Sequence, residues 1–369
     1  MKITDVTLTP IRTWREHGWY SPHVIVQLDT DEGAVGIGEM SDYGHIPTHE
    51  TPHIEPLTAA LKEVLLGRDP FDLAPILTQL SGANTLILCG VDLALHDLQG
   101  KALGRPVYEL LGGKIRDRIP VCYPIFPQKA PADIEHNLQR VANLLEMGHD
   151  MIRIYIGVNL ELDEAFLDGL RGRFGSRVRI KSLDMSGRLY WKTALQTLRR
   201  FSQYDFILAE SVSYRQDLEG MAYIRRQVNH PISEHVGSPA DALRMIQAGA
   251  IDIMNISLSS LGGIYHARKI YHMAEAAGLS CLIGTTQELS IGTAGQAHLG
   301  AAMPNLQYPS DPTGPILYQQ DVVSSPVVYE HSHLLVQDGP GLGLEIDPEL
   351  LQELRSDIHL PATEGVDAR

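Results

Sequence analysis

Short alternating runs of apolar and polar residues fill the first ~50 positions. "MKITDVTLTPIRT" and "HVIVQLDTDEGAVGIGEM" predict strands, and "TDEG" between apolar runs predicts a hairpin turn. From Pro56 to Leu111 the period lengthens: "LTAALKEVLL" and "GVDLALHDLQGKALG" carry apolar residues at i, i+3, i+4 and i+7, which predicts helices. Gly104 and Gly112-Gly113 predict where those helices stop. Residues 1–117 thus predict a small α+β unit.

Beyond it the texture becomes apolar strand, then amphipathic helix, repeated. Strands are predicted at Ile119–Tyr123, Met151–Ile156, Val178–Leu183, Phe206–Ala209, Pro231–Ser233, Ile251–Ile256 and Leu279–Ile283, separated by segments such as "WKTALQTLRRFSQ" and "ADALRMIQAGA". Strand alternating with helix predicts a parallel sheet, and seven such units favour a (β/α)7-8 TIM-type barrel over residues 118–318. Residues 319–369, with "VQDGPGLGLEIDPELLQELR", predict a strand, a Gly/Pro turn and a short helix returning to the first unit, then a frayed polar tail after Pro361. "GPGLGLE" lacks the G-x-G-x-x-G or GK[ST] spacing of a phosphate loop and is expected to be a structural turn.

Composition narrows the classes. Of 369 residues 44% are hydrophobic and 20% charged, the profile of a globular protein. Thirty Lys+Arg against 45 Asp+Glu give a formal charge of −15, which disfavours nucleic acid and anionic membrane as partners. No apolar run approaches ~18 residues, so no membrane span is expected. The N-terminus turns polar too early for a signal peptide. Cys89, Cys122 and Cys281 stand alone in apolar contexts and are expected to be reduced core residues of a cytoplasmic protein.

In a barrel, catalytic groups sit at the carboxyl ends of strands. The third predicted strand ends at Asp184, the fourth at Glu210, the fifth at Glu234, 26 and 24 residues apart, one strand-helix unit each. A single acid there often caps the next helix. Three at consecutive ends would repel unless neutralised, and a hard, oxygen-seeking cation such as Mg²⁺ is the expected neutraliser.

This ring resembles the metal site of the enolase superfamily, in its mandelate racemase and muconate lactonising branch. "GRDPFDLAPIL", "GVDLALHDLQGKALGRPVYELLGG", "SLGGIYHARKIYHMAEAAGL", "ELSIGTAGQAHLGAAMPNL" and "VQDGPGLGLEID" are similar to that family's segments, in its order. The resemblance implies a capping domain made by both chain ends, closed over the barrel. It also implies Mg²⁺ on Asp184, Glu210 and Glu234, removal of a proton α to a carboxylate of a small substrate, and assembly as a homo-oligomer.

The departures are in the base. Relatives carry Lys-x-Lys at the end of the second strand and a lysine or aspartate at the end of the sixth; this chain has Arg153-Ile154-Tyr155 and Ser257. Superfamily bases are lysine or histidine, and neither stands at these positions. Period-2 geometry puts Arg153 and Tyr155 on one face, roughly 7 Å apart. Ionising a phenol at pH 7 costs about 4 kcal/mol, and a guanidinium about 4 Å away supplies a similar amount at an effective dielectric near 20. Tyr155, activated by Arg153, is therefore the expected base; the alternative is an Arg–Tyr pair that only fills the barrel core. The motif resembles Arg-x-Tyr acid-sugar dehydratases such as galactarate dehydratase, so the expected activity is a hydro-lyase giving a 2-keto-3-deoxy acid. The alternatives are a lactone cycloisomerase or racemase/epimerase on the same metal, or a non-catalytic binding relative. Glu288 matches a family position at the seventh strand end and is expected in catalysis or in capping. Arg15, His17, Tyr20 and His45 in the cap loops, with His235 and Ser257 in the barrel, are the expected substrate-binding groups.

Overall fold

The structure, a computed structural model, describes residues 1–15, 18, 20–41 and 54–357. The N-terminal alternation forms an antiparallel sheet of β1 (Ile3–Trp14), β2 (Tyr20–Thr30) and β3 (Val35–Met40), in that order. The turn between β2 and β3 closes with the Gly33 N–H donating to the Thr30 carbonyl, 3.1 Å. Four helices follow: α1 (Glu55–Leu65), α2 (Leu73–Gln79), α3 (Thr85–Leu103) and α4 (Val107–Leu110). Helix α3 starts where Asn84 accepts from the Leu86 N–H and stops at Gly104 in the left-handed region. It is buried on all sides from Ile87 to Gly100 because it lies between the cap sheet and the barrel. It can approach β3 so closely because a Cβ on Gly38 would stand 1.9 Å from the Gly90 carbonyl oxygen.

The next elements alternate as expected. Strand β4 (Arg118–Pro120) precedes β5 (Tyr123–Ile125), α5 (Pro131–Glu146), β6 (Met151–Tyr155), α6 (Leu160–Phe174), β7 (Arg179–Asp184), α7 (Trp191–Phe201) and β8 (Phe206–Glu210). Then come α8 (Leu218–Gln227), β9 (Ile232–His235), α9 (Pro239–Ala248), β10 (Ile253–Ile256), α10 (Leu258–Leu261), α11 (Ile264–Ala276), β11 (Ser280–Ile283) and α12 (Ser290–Ala302). Strands β5 to β11 form one curled parallel sheet in sequence order. Its two edges meet through Asn305–Asp311. The Cys281 N–H donates to the Asn305 carbonyl, and the Cys122 N–H to that of Ser310, so an irregular segment fills the eighth barrel position.

One predicted strand divides. Residues 118–120 leave the barrel to pair with the hairpin of β12 (Tyr329–Glu330) and β13 (His333–Leu335), and only Tyr123–Ile125 join the parallel sheet. The last helix, α13 (Pro348–Leu354), returns to the cap, where Arg355 bridges Ile11 and the Ser356 N–H donates to Pro10. The three cysteines are free and buried. No helix among the described residues is long and apolar enough to cross a membrane. The polar tail beyond Pro361 lies outside the described residues.

"GPGLGLE" is a structural turn. Asp97 on α3 accepts from the Leu342 and Ile37 N–H groups and pairs with Lys101 at 2.9 Å, tying this turn, the cap sheet and α3 together. Gly341 sits at φ 68°, and a Cβ there would stand 2.1 Å from Asp97 Oδ1. Gly341→Ala combines a left-handed penalty of about 1–2 kcal/mol with that overlap. Urea unfolding is expected to register at least about 2 kcal/mol of lost stability.

Candidate active site

Register places the first three groups on one line. Tyr155 is the partner of Asp184, and Asp184 of Glu210, at the carboxyl ends of β6, β7 and β8. Glu210 pairs with Ser233, so Glu234 stands one residue further out on β9. All three acids are at most 3% exposed.

Arg153 and Tyr155 share a face, as their spacing requires. Arg153 Nη2 donates to Tyr155 Oη at 2.7 Å, and the guanidinium carbon lies 4.8 Å from the phenol centroid. Phe126 also stacks on that ring, 5.7 Å between centroids and 6° between planes. Arg153 also reaches Glu210 and Asp311 at 3.4 Å and Asp184 at 4.0 Å. That sharing corrects the expected electrostatics. Burial pushes the Tyr155 phenol above its ordinary value, and Arg153 only partly opposes it, because Asp184, Glu210 and Asp311 spend its charge. The phenol therefore rests protonated, as a proton donor held in place by its neighbours.

A second buried cation escaped the sequence reading. Lys181, fully buried, donates to Glu210 Oε2 at 2.8 Å and to Asp311 Oδ1 and Oδ2 at 2.9 and 3.0 Å. It is there because β7 is bulged: Ile152 pairs with Ile180, the next residue Arg153 with Ser182, and Lys181 is the extra residue. Ser182 Oγ donates to the same Oε2 at 3.1 Å, and Asn255 Nδ2 to Oε1 at 3.1 Å.

Protonation follows these contacts. Burial works to raise the Glu210 carboxyl, but Lys181, His235 and Arg153 together outweigh it and hold the group well below the usual carboxylate range. Burial, then the charge of Glu210, pushes Asp184 up to about 7. Burial also raises Glu234. Glu234 Oε1 accepts from Ser211 Oγ at 2.9 Å and from the His235 N–H at 2.8 Å, while buried Oε2 has no hydrogen-bond partner among the described residues.

Those features fit a divalent cation in charge and in donor chemistry. Asp184, Glu210, Glu234 and Asp311 outnumber the fixed positive charges of Arg153 and Lys181, an excess of negative charge that a cation would offset. The partnerless Glu234 oxygen is the kind of hard donor it takes. Among the described residues no three His, Cys, Asp or Glu side chains are gathered closely enough to ligate an ion as they stand.

The remaining predicted groups are spread around this centre. His235 Nε2 lies 3.4 Å from Glu210 Oε1, beside the acids. Ser257 caps α10 by accepting from the Ser260 N–H. Glu288 is 2% exposed and bonded by Ser259 Oγ at 2.8 Å, Thr285 Oγ1 at 2.5 Å and Thr286 Oγ1 at 2.9 Å. The Ser259 and Thr286 hydroxyls also meet Ser41 of the cap. Arg15 donates to Ser21 Oγ at 2.9 Å and to Gln287 Oε1. Tyr20 packs against Trp14, 3.6 Å between centroids. His17 and His45 lie outside the described residues.

Comparison with known proteins places this arrangement. Residues 2–112 match the mandelate racemase / muconate lactonizing enzyme N-terminal domain, and residues 137–350 match the enolase C-terminal domain-like family. The chain belongs to the mandelate racemase / muconate lactonizing enzyme branch of the enolase superfamily. It is 29% identical to the N-succinyl-L-Arg/Lys racemase of Bacillus cereus, over 96% of this chain and 98% of that protein. It is 31% identical to the L-Ala-D/L-Glu epimerase of Clostridium acetobutylicum, over 87% of this chain and 90% of that one. The crystal structure of muconate cycloisomerase from Pseudomonas fluorescens superposes with a TM-score of 0.85 at 25% identity, covering 96% of this chain and 99% of that chain.

Membership of this family corrects the expected reaction. These relatives are a racemase, an epimerase and a cycloisomerase, all isomerases, so the expected galactarate-type dehydratase, a lyase, is overturned. The Arg-x-Tyr pair is two positions at one strand end, whereas these likenesses run over most of the chain. Members of the superfamily use a divalent metal, which accords with the acid ring.

Proposed function

We propose that the protein is a Mg²⁺-dependent isomerase of a small carboxylate, transferring one proton at the carbon α to that carboxylate from a single face, and that its reaction is a cycloisomerisation. Asp184, Glu210 and Glu234 would hold the ion. When bound, it supplies positive charge where negative charge gathers on the substrate carboxylate.

One observation carries the choice among isomerisations. The Arg153–Tyr155 pair stands at the end of β6, and the barrel position across from it, four strands on, is the end of β10. There the chain has Ser257, whose hydroxyl is engaged with the Ser260 N–H and lacks the basicity to exchange a carbon-bound proton. Inverting a stereocentre by proton transfer needs groups on both faces; adding a carboxylate across a double bond and protonating the neighbouring carbon needs one. Tyr155, protonated and oriented by Arg153 and Phe126, hands its proton to the α-carbon. In the reverse direction the phenolate recovers it, with Arg153 balancing the charge. An unsaturated dicarboxylate of the muconate type meets these requirements.

The test is a substrate panel in D₂O on protein supplied with Mg²⁺: unsaturated dicarboxylates, N-succinyl amino acids and dipeptides. The expected result is lactone formation with one deuterium delivered to one face, abolished by EDTA and restored by Mg²⁺. Racemisation of an N-succinyl amino acid, or epimerisation of a dipeptide, would overturn the one-face reading.

A further inference from the structure

Lys181 has no role in that scheme, yet its placement is tightly constrained. It is fully buried on the β7 bulge, and its ammonium donates to three carboxylate oxygens, one of Glu210 and both of Asp311. An ammonium has three protons to give, and each has a taker here.

The consequence falls on Glu210. Its Oε2 already accepts from Lys181 Nζ at 2.8 Å and from Ser182 Oγ at 3.1 Å, two donors for its two lone pairs. Its Oε1 has longer contacts: Asn255 Nδ2 at 3.1 Å, and Arg153 and His235 at 3.4 Å. The Arg153 nitrogen that touches Oε1, Nη1, also faces Asp311 Oδ1 at 3.4 Å and has that carboxylate to fall back on. Oε1 is therefore the oxygen Glu210 can release, and Oε2 is withheld.

Cations differ in how they receive such a group. Mg²⁺ takes six oxygens in near-ideal octahedral geometry and is satisfied by single carboxylate oxygens plus water, whereas Ca²⁺ takes six to eight and often grips a carboxylate through both oxygens. We propose that Lys181 is a positioning residue that makes Glu210 a one-oxygen ligand and so makes the site favour Mg²⁺ over Ca²⁺. The inference rests on the divalent-cation site proposed above.

Cation binding to the EDTA-dialysed protein tests it without reference to turnover. Bound Mn²⁺ is followed by its EPR signal while Mg²⁺ or Ca²⁺ is titrated in as competitor. In the wild type, Mg²⁺ is expected to displace Mn²⁺ at lower concentration than Ca²⁺. In Lys181→Met the ratio of the two competitor constants is expected to move toward Ca²⁺ roughly tenfold, equivalent to about 1.4 kcal/mol. In Ser182→Ala, which takes only a hydroxyl from the same oxygen, it moves the same way by less. Should Lys181→Met fail to fold, Ser182→Ala decides. A wild type that binds the ions while every folded variant keeps its Mg²⁺/Ca²⁺ ratio overturns the role of Lys181 and leaves the cation site standing. A wild type that binds none of the three ions overturns both.

Discussion

Tyr155→Phe is expected to lower turnover by about 10²–10⁴-fold, the range for losing a positioned proton-transfer group, with folding and Mg²⁺ binding retained. The change removes one oxygen. Phe keeps the stack on Phe126 and the face presented to the Arg153 guanidinium. Arg153 loses its 2.7 Å partner but remains paired with Glu210 and Asp311. Steady-state rates, thermal unfolding and Mn²⁺ binding measured on the same preparation separate chemistry from structure. A variant within tenfold of the wild-type rate would remove Tyr155 from the mechanism and return the Arg–Tyr pair to core packing. A variant that also loses the ion would make the pair part of the cation site instead.

How much of this was legible in the chain depends on what each feature requires. The acid ring was, because strand ends recur with the strand-helix unit, and Asp184, Glu210 and Glu234 sit where that period puts them. The Arg153–Tyr155 contact was, because two residues on a regular strand share a face. Lys181 was not. Counting back by twos from Asp184 gives Ser182 as the inward residue and turns Lys181 outward; a one-residue bulge brings Lys181 inward beside Ser182, and nothing local in "RIKSLD" announces it. Asp311 was hidden because the eighth barrel position is filled by an irregular segment interrupted by Pro309 rather than by an apolar run. The phenol's proton affinity escaped for a different reason. A pairwise estimate with Arg153 leaves out desolvation and three further carboxylates, and these reverse its sign. The reaction class escaped because it is spread over the whole chain, while the dyad that suggested a dehydratase is two side chains.

Away from the site, acid is expected to destabilise the protein through His298. This residue lies on α12, fully buried, with neither ring nitrogen closing a hydrogen bond among the described residues. Its ring is 5.6 Å from that of Tyr108. Burial lowers its pKa to about 4; the Leu342 backbone and Asp338 pull upward without offsetting it, and His96 pushes down. Because the folded value lies below the unfolded one of about 6.5, the unfolded chain takes up the proton first. Stability from this group is therefore complete above about pH 6.5 and is lost as pH falls toward 4. The full difference is about 3 kcal/mol, and about 2.5 kcal/mol of it is gone by pH 4.5. Carboxylates titrate in the same interval, so the measurement is a comparison: urea unfolding of wild type and His298→Leu at pH 7.5 and at pH 4.5. Leu replaces a buried polar ring by an apolar side chain, so the variant is expected to match the wild type to within about 1 kcal/mol at the higher pH. At the lower pH it should be the more stable of the two by about 2 kcal/mol or more. If both proteins lose the same stability between the two pH values, His298 takes up its proton in the folded state without penalty. The ring would then have to be solvated inside α12, at odds with its complete burial.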